Sequence, residues 1–261
     1  MAKLQDLFTQ ARRTHSGGGM GFLGKSQSES KAHAAALVAA FTQVSSGGAE
    51  AMLKAGADGL LYTWDGEEET LEALKEETES ARSINERTVT GLYVTGGWDE
   101  LNRSGFDKIK EAGFHYIVLP FDAPARLLAQ EDKELERVVT VPMREGELYP
   151  SVVRNLSAFE SVAAVELDFD LEDRLSSLTI DESLSYRAVR EVLRQPAFIK
   201  VKHSLTEVEA YTLRALSIQG LILTVNNHNA TTIAQVKALR ELLEKIHQEV
   251  KDSETPLRIK P

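Results

Sequence analysis

Short apolar blocks recur along the chain, and each is followed by a turn and a stretch with apolar residues at helical spacing. The blocks predict strands at Leu37–Gln43, Gly59–Trp64, Val89–Thr95, Tyr116–Pro120, Arg137–Met143, Ala163–Asp168, Pro196–His203 and Gly220–Val225. A helix opened by Ser45-Ser46-Gly47-Gly48 ends at Ala55-Gly56. The others are expected at Glu67–Ile84, Asp99–Ala112, Pro124–Gln130, Pro150–Phe159, Ser183–Leu193, Thr206–Leu216 and Ala230–Val250. Punctuation agrees with this division. Three acids open the Glu67 helix, where the helix dipole favours negative charge. Gly113 stands where a helix stops. Ser204 and Glu207, three apart, read as a capping box. Ahead of the repeat, Ala2–Arg13 carries Leu4, Leu7, Phe8 and Ala11 on one helical face. A glycine-rich loop follows, and the chain closes on a polar tail from Lys251 to Pro261.

Eight strands, each followed by a helix, define an α/β chain, and the expected fold is a (β/α)8 barrel with an additional N-terminal helix. A doubly wound open sheet uses the same alternation and is the alternative. The 261 residues suit one domain: an N-terminal helix and Gly/Ser-rich loop over 1–33, the barrel over 34–250 and the tail over 251–261. Three segments that carry a helix end into a strand are alike: Lys54–Leu61, Glu111–Ile117 and Ala215–Ile222. The first contains Ala55-Gly56-Ala57-Asp58-Gly59, which resembles an element common in phosphate-binding (β/α)8 barrels. That group includes many lyases, isomerases and flavin-dependent oxidoreductases. The resemblance implies the fold and no single activity. It also directs attention to the loops after strands seven and eight, which here are Lys202-His203-Ser204 and Asn226-Asn227-His228-Asn229, without glycine.

Composition narrows the partners. Forty acids against 30 bases give a net charge of −10 with no basic cluster, which argues against nucleic acid. No run is apolar enough to span or anchor in a membrane, and the first residues have no signal-peptide core, so a cytoplasmic protein is expected. There is no cysteine, which excludes disulfides and thiolate chemistry. A homo-oligomer is compatible with the sequence.

Candidate chemistry follows from strand alternation. Residues two apart share a face, so Phe198, Lys200 and Lys202 point one way while Ile199 and Val201 point the other. On the preceding strand Glu166, Asp168 and Asp170 share a face. Adjacent strands then line one interior with acids facing lysines. A lysine in a low-dielectric interior can lose its proton and act as a nucleophile toward a carbonyl, with a carboxylate moving protons. In this reading Lys202 is the reactive amine or clamp, Lys200 tunes it, Asp168 is the acid/base and Glu166 a deeper partner. The competing reading is a structural ion-pair layer. Asp122 follows strand four as relay, metal ligand or helix cap. Ser46, Gly47 and Gly48 open a helix at the same end and could hold an anion through backbone amides, or Ser46 could simply cap the helix. Gly96-Gly97 is a weaker version of the same arrangement. Arg144, Thr224 and Asn226 complete the strand-end set for an anionic substrate. Trp64 and Trp98 are expected at the same rim, where they could wall an organic substrate or, as is more usual for such residues, serve as half-buried packing. His203 and His228 lack metal-binding spacing and read as loop residues. Gly19–Ser26 matches the P-loop letters but follows a helix end where that motif needs a strand, so it reads as a lid over the barrel mouth, an anion-holding loop or a disordered surface loop rather than an NTPase motif.

The preferred function is an enzyme acting on a small anionic carbonyl compound, by lyase, aldolase-type or isomerase chemistry through a Schiff-base lysine, without metal or cofactor. The alternatives are a flavin (FMN)- or nucleotide-phosphate-binding barrel, a Mg2+ site on Glu166, Asp168 and Asp122, and a non-catalytic scaffold or oligomer subunit.

Overall fold

The computed structural model of the chain describes residues 4–11, 32–43, 46–130, 132, 134–144, 146, 148–171, 174–201, 205–226 and 228–254. Its strands are β1 (Ala36–Phe41), β2 (Gly59–Trp64), β3 (Val89–Val94), β4 (Tyr116–Leu119), β5 (Glu136–Pro142), β6 (Val162–Asp168), β7 (Ala197–Val201) and β8 (Gly220–Val225). They pair in parallel in sequence order and β8 returns to β1, which closes the barrel. The helices are α1 (Leu4–Ala11), α2 (Gly48–Ala55), α3 (Glu68–Ile84), α4 (Arg103–Glu111), α5 (Arg126–Ala129), α6 (Tyr149–Arg154), α7 (Ile180–Val192), α8 (Glu207–Ala215) and α9 (Ala230–Glu254). The expected (β/α)8 fold with an added N-terminal helix is the one observed. The open sheet is not.

Closure sorts each strand into two faces. Leu37, Leu60, Leu92, Ile117, Val139, Leu167, Ile199 and Leu221 belong to the layer between strands and helices. Val38, Leu61, Val118, Val138, Ala164, Phe198 and Ile222 form a separate interior cluster. The interior is narrow, so large rings need small neighbours. The Tyr116 ring lies over Gly91 and the Phe198 ring over Gly220; a Cβ on either glycine would come within 2.2 Å of the ring.

The amphipathic face read from Leu4, Leu7, Phe8 and Ala11 closes the N-terminal end of this interior. All four are buried in the same cluster, and the Phe8 and Phe198 rings lie 4.9 Å apart. The Leu4 amide donates to Glu136 Oε2 at 2.6 Å, which satisfies an otherwise orphaned helix donor. The Ala-Gly-Ala-Asp-Gly element serves the same end of the barrel. Asp58 accepts from the Leu37 amide and from Arg240, both at 2.8 Å, and meets His33 at 2.8 Å. Burial pushes the Asp58 carboxyl up, but His33 and Arg240 pull it below its ordinary value.

Several helix boundaries differ from the periodicity. The stretch expected as one helix over Asp99–Ala112 is a short 3-10 turn, a break and then α4, because Asn102 caps a new start by accepting from the Gly105 amide at 3.1 Å. The Pro150 helix likewise gives way to a 3-10 turn over Asn155–Ala158. The capping box before α8 is Thr206 with Glu209, not Ser204 with Glu207; Ser204 lies outside the described residues. A second box, Thr179 with Glu182, opens α7 three residues ahead of the expected start.

His115, between α4 and β4, is buried, and its Nδ1 accepts from the Thr90 amide at 3.1 Å. Burial, reinforced by Arg82, lowers its pKa to about 4. The folded chain therefore keeps a neutral imidazole while the unfolded chain takes up a proton below about 6.5. This contribution is present above that pH and is lost as pH falls toward about 4, up to ~3 kcal/mol. Urea titrations across this window should show the loss in the wild type and a flatter dependence in His115→Asn. Phe8→Ala should cost about 3–5 kcal/mol in the same assay by leaving a cavity against Phe198. Lys54→Ala, which removes an exposed pair with Glu50, should change stability by less than about 1 kcal/mol.

Candidate functional site

With α1 closing one end, the other end of the interior is where the strands' C-termini open, the face on which (β/α)8 enzymes place their sites. Burial marks the opening. On β1, β2, β3, β7 and β8 the penultimate residue is the half-buried member of a buried strand end. These residues are Ala40, Thr63, Tyr93, Lys200 and Thr224, and alternation turns each inward. The β4–β6 side is closed: Val118 is buried, as are Thr140 and Glu166.

Lys200 and Glu166 form the charged centre of this floor. Lys200 Nζ lies 2.6 Å from Glu166 Oε1, with side-chain exposures of 34% and 1%. Thr140 Oγ1 donates a long bond, 3.4 Å, to Glu166 Oε2. The Lys200 ammonium also stands over the Tyr93 ring at 4.2 Å, a cation–π contact. Removal from water raises the Glu166 pKa, and Lys200 offsets this only in part. For Lys200, burial acts downward, but the attraction of Glu166 outweighs it and holds the amine protonated above its ordinary range. Of the opposing faces read from the sequence, Glu166 and Asp168 on β6 and Lys200 on β7 are present; Asp170 lies past the end of β6 in a left-handed conformation, φ 49°, which breaks the alternation, and Lys202 lies outside the described residues. The depressed lysine pKa that a nucleophile needs is not a property of Lys200, because the acid Glu166 lies against it. Tyr116, beneath, is shifted upward by burial and by Glu166.

The other predicted residues distribute around this centre. Asp168 ends β6, exposed, its charge acting on both Glu166 and Lys200. Lys202, His203 and Ser204 lie outside the described residues, as does the Gly19–Ser26 loop. Thr224 lines the open sector, and Asn226 beyond it is exposed, with Oδ1 accepting from Thr42 at 3.4 Å. Arg144 is exposed over the Phe121 ring at 5.2 Å, which brings the loops after β4 and β5 together. Asp122 follows Phe121 and is exposed; it does not cap α5, whose N-cap position is Ala125. Ser46 does not cap α2 either. Gly47 takes that position with φ 77° and no side-chain bond, because the tight turn after β1 needs a left-handed residue there.

One further expectation is corrected. Trp64 is not at the rim: it belongs to the outward parity of β2 and is buried under the helices, its indole donating to the Glu67 carbonyl at 2.9 Å. Trp98 is half-buried in the 3-10 turn after β3. Gly96-Gly97 packs backbone against backbone with the loop after β2, where a Cβ on Gly66 would stand 2.3 Å from the Gly97 Cα. Tyr93 and Thr140 were missed, although counting two residues back from Thr95 gives Tyr93 directly. Among the described residues no three His, Asp or Glu side chains are placed to hold a metal ion, so Glu166, Asp168 and Asp122 do not form such a group. No helix among these residues is long and apolar enough to cross a membrane. An apolar cavity of about 20 Å³ lies between α8 and α9, lined by Leu205, Leu213, Leu243 and Ile246; its size suits one water and it is remote from the charged centre.

A closed parallel barrel with a charged floor at its C-terminal end defines the chain as a (β/α)8 protein. No family model matches it and no curated protein is similar in sequence. Among solved structures it is similar to an HpcH/HpaI aldolase from Desulfitobacterium hafniense, at 10% identity over 100% of both chains, with a TM-score of 0.51. It is also similar to phosphoribosyl anthranilate isomerase from Thermus thermophilus, at 14% identity, 81% of this chain, 99% of that one and a TM-score of 0.56. A tryptophan synthase chain from M. tuberculosis gives 15%, 80%, 93% and 0.57. At these identities the shared property is the fold.

If Lys200 compensates the buried Glu166 charge, removing one partner is worse than removing both. Lys200→Met should destabilise the protein by about 3 kcal/mol, and the double variant Glu166→Leu/Lys200→Met should regain most of that loss in urea unfolding. Strictly additive losses would show that the two side chains are not coupled.

Proposed function

We propose that this barrel is an enzyme acting on a small anionic carbonyl compound by carbon–carbon lyase or isomerase chemistry through a lysine. The reading rests on the Lys200–Glu166 pair at the floor of the open end, with Asp168 above it. The fold supports it more generally, since aldolase and isomerase structures are among its structural neighbours. Because Glu166 keeps Lys200 protonated, Lys200 is assigned to hold and polarise an anionic substrate. Lys202 is assigned as the reactive amine, two residues further along the same sequence alternation.

The chemistry then runs as follows. The neutral amine adds to the substrate carbonyl carbon, and the carbonyl oxygen leaves as water, taking one proton from the amine and one from solvent, so that an iminium remains on the lysine nitrogen. An enamine then forms by one of two routes: the Cα–H electron pair moves in as its proton passes to Asp168, or, in a β-hydroxy compound, the Cα–Cβ pair moves in while the other fragment leaves as an aldehyde and its hydroxyl proton passes to Asp168. Asp168, exposed at the strand end, exchanges the proton, and returning it to carbon before hydrolysis regenerates the amine.

Borohydride trapping in the presence of pyruvate, glyoxylate or a small aldehyde should fix the adduct, with peptide mapping placing it on Lys202. A covalent mass increase at that residue, dependent on the carbonyl compound and abolished in Lys202→Met, is the expected result. No adduct on either Lys200 or Lys202 across the panel would eliminate Schiff-base chemistry.

A further inference from the structure

The Lys200 ammonium has three N–H bonds, and its surroundings occupy only part of them. One side meets Glu166 Oε1 at 2.6 Å, another meets the Tyr93 ring at 4.2 Å, and a third of the side chain remains open to the mouth. Glu166 is enclosed. Its side chain is 1% exposed, and besides Lys200 it has the long contact from Thr140. The groups whose charge or polarity acts on it are Lys200 from β7, Asp168 from β6, Tyr93 from β3 by way of Lys200, Tyr116 from β4 and Thr140 from β5. Below this layer the interior is apolar, filled by Phe198, Val118 and the α1 side chains.

A second anion arriving at Lys200 would share one cation with a carboxylate that cannot move into water. Two buried or half-buried carboxylates on one ammonium leave a net negative charge in a poor dielectric, and one of them then takes a proton. The exposed anion remains solvated on its outer side, whereas Glu166 does not. We propose that the mouth binds a small carboxylate anion on the open side of Lys200 and that binding is coupled to uptake of one proton by Glu166. This rests on the reading of the mouth as an anionic substrate site, and it adds that the site accepts anion and proton together. The proton comes from solvent onto a Glu166 oxygen, no covalent bond to the ligand forms, and the complex gains no net charge.

The sign of the pH dependence follows. Burial already raises the Glu166 pKa, and a bound anion raises it further. Affinity for the ionised ligand is then greatest at low pH, where Glu166 is neutral in both states; below the ligand's own carboxyl pKa the anion itself is lost. Affinity falls by up to about tenfold per pH unit once the unliganded Glu166 ionises.

Propionate and lactate are suitable probes, because neither offers the carbonyl that a Schiff base needs. Calorimetric titration of the intact protein in buffers of different ionisation enthalpy at one pH should report uptake of up to one proton per anion bound. Glu166→Gln should bind the anion with no uptake and no pH slope over the same window, and Lys200→Met should not bind it. An infrared band of a protonated carboxyl should appear when anion is added to the wild type and be absent in Glu166→Gln. Binding without proton uptake, an unchanged slope in Glu166→Gln, or no binding of either anion overturns the proposal. Proton uptake without borohydride trapping would leave the coupling intact and remove the lyase reading; trapping without uptake would do the reverse.

Discussion

Everything in this molecule is arranged around the narrowness of a closed eight-stranded interior. Alternate residues of every strand must enter it, and there is room for two large rings only because glycines stand opposite them: Tyr116 over Gly91 and Phe198 over Gly220. The N-terminal end is then stoppered by Leu4, Leu7 and Phe8 from α1. With the middle filled and one end closed, polar side chains have a single layer left, the one beneath the strands' C-termini. Glu166 and Lys200 occupy it, on neighbouring strands, at the boundary between a dry core and solvent.

A buried ion pair is a poor device for stability, since desolvating two charges costs roughly what their attraction returns. The contrast with the buried arginines is informative. Arg137 donates to the carbonyls of Leu127, Gln130, Asp132 and Leu135, and Arg190 to those of Ser217 and Leu193 and to the Gln219 side chain. Each guanidinium meets several acceptors: Arg137 ties the segment after α5 to β5, and Arg190 ties α7 to the segment between α8 and β8. Their partners are uncharged chain termini of helices and turns, which is structural work. Glu166 has one strong partner and one long contact, and its partner faces the opening. A carboxylate so incompletely satisfied, 1% exposed, is not what stability alone would select.

The fold was legible because the barrel's two requirements, alternation of strand and helix and apolar blocks of strand length, are both local patterns. Strands β2 and β8 fall on the residues the hydrophobic blocks predict, and the other described strand ends shift by one or two residues; the last two residues expected in β7, Lys202 and His203, lie outside the described residues. The facing of Glu166, Asp168 and Lys200 was legible for the same reason, since parity along a strand is fixed by its geometry. What the sequence could not supply was the choice between nearly equivalent local signals. Thr206/Glu209 competes with Ser204/Glu207 for one capping box, and only the packed position of α8 decides it. Trp64 looked like a rim residue because it ends its strand, but its parity is opposite to that of Thr63 and puts the indole under the helices. Tyr93 was overlooked because an aromatic in a strand reads as core, and its contact with Lys200 joins residues from strands far apart in sequence.

The two ends of the barrel also divide the meaning of the Asp58 element and the Lys200 pair. Asp58, His33 and Arg240 tie the start of β2 to α9 at the stoppered end, so the Ala-Gly-Ala-Asp-Gly resemblance reports how the barrel is built. In the proposed function substrate selection falls to the other end, where the open sector runs from β7 through β8, β1 and β2 to β3. Its inward residues are Ala40, Thr63 and Thr224, all small, with Tyr93 as the one large wall and Lys200 as the charge. Small side chains directly above a filled core make a shallow floor of a few atoms' extent. For the compact anion proposed above, such a floor offers one ammonium and a few hydroxyl groups, so contact area would contribute little and charge would carry most of the binding.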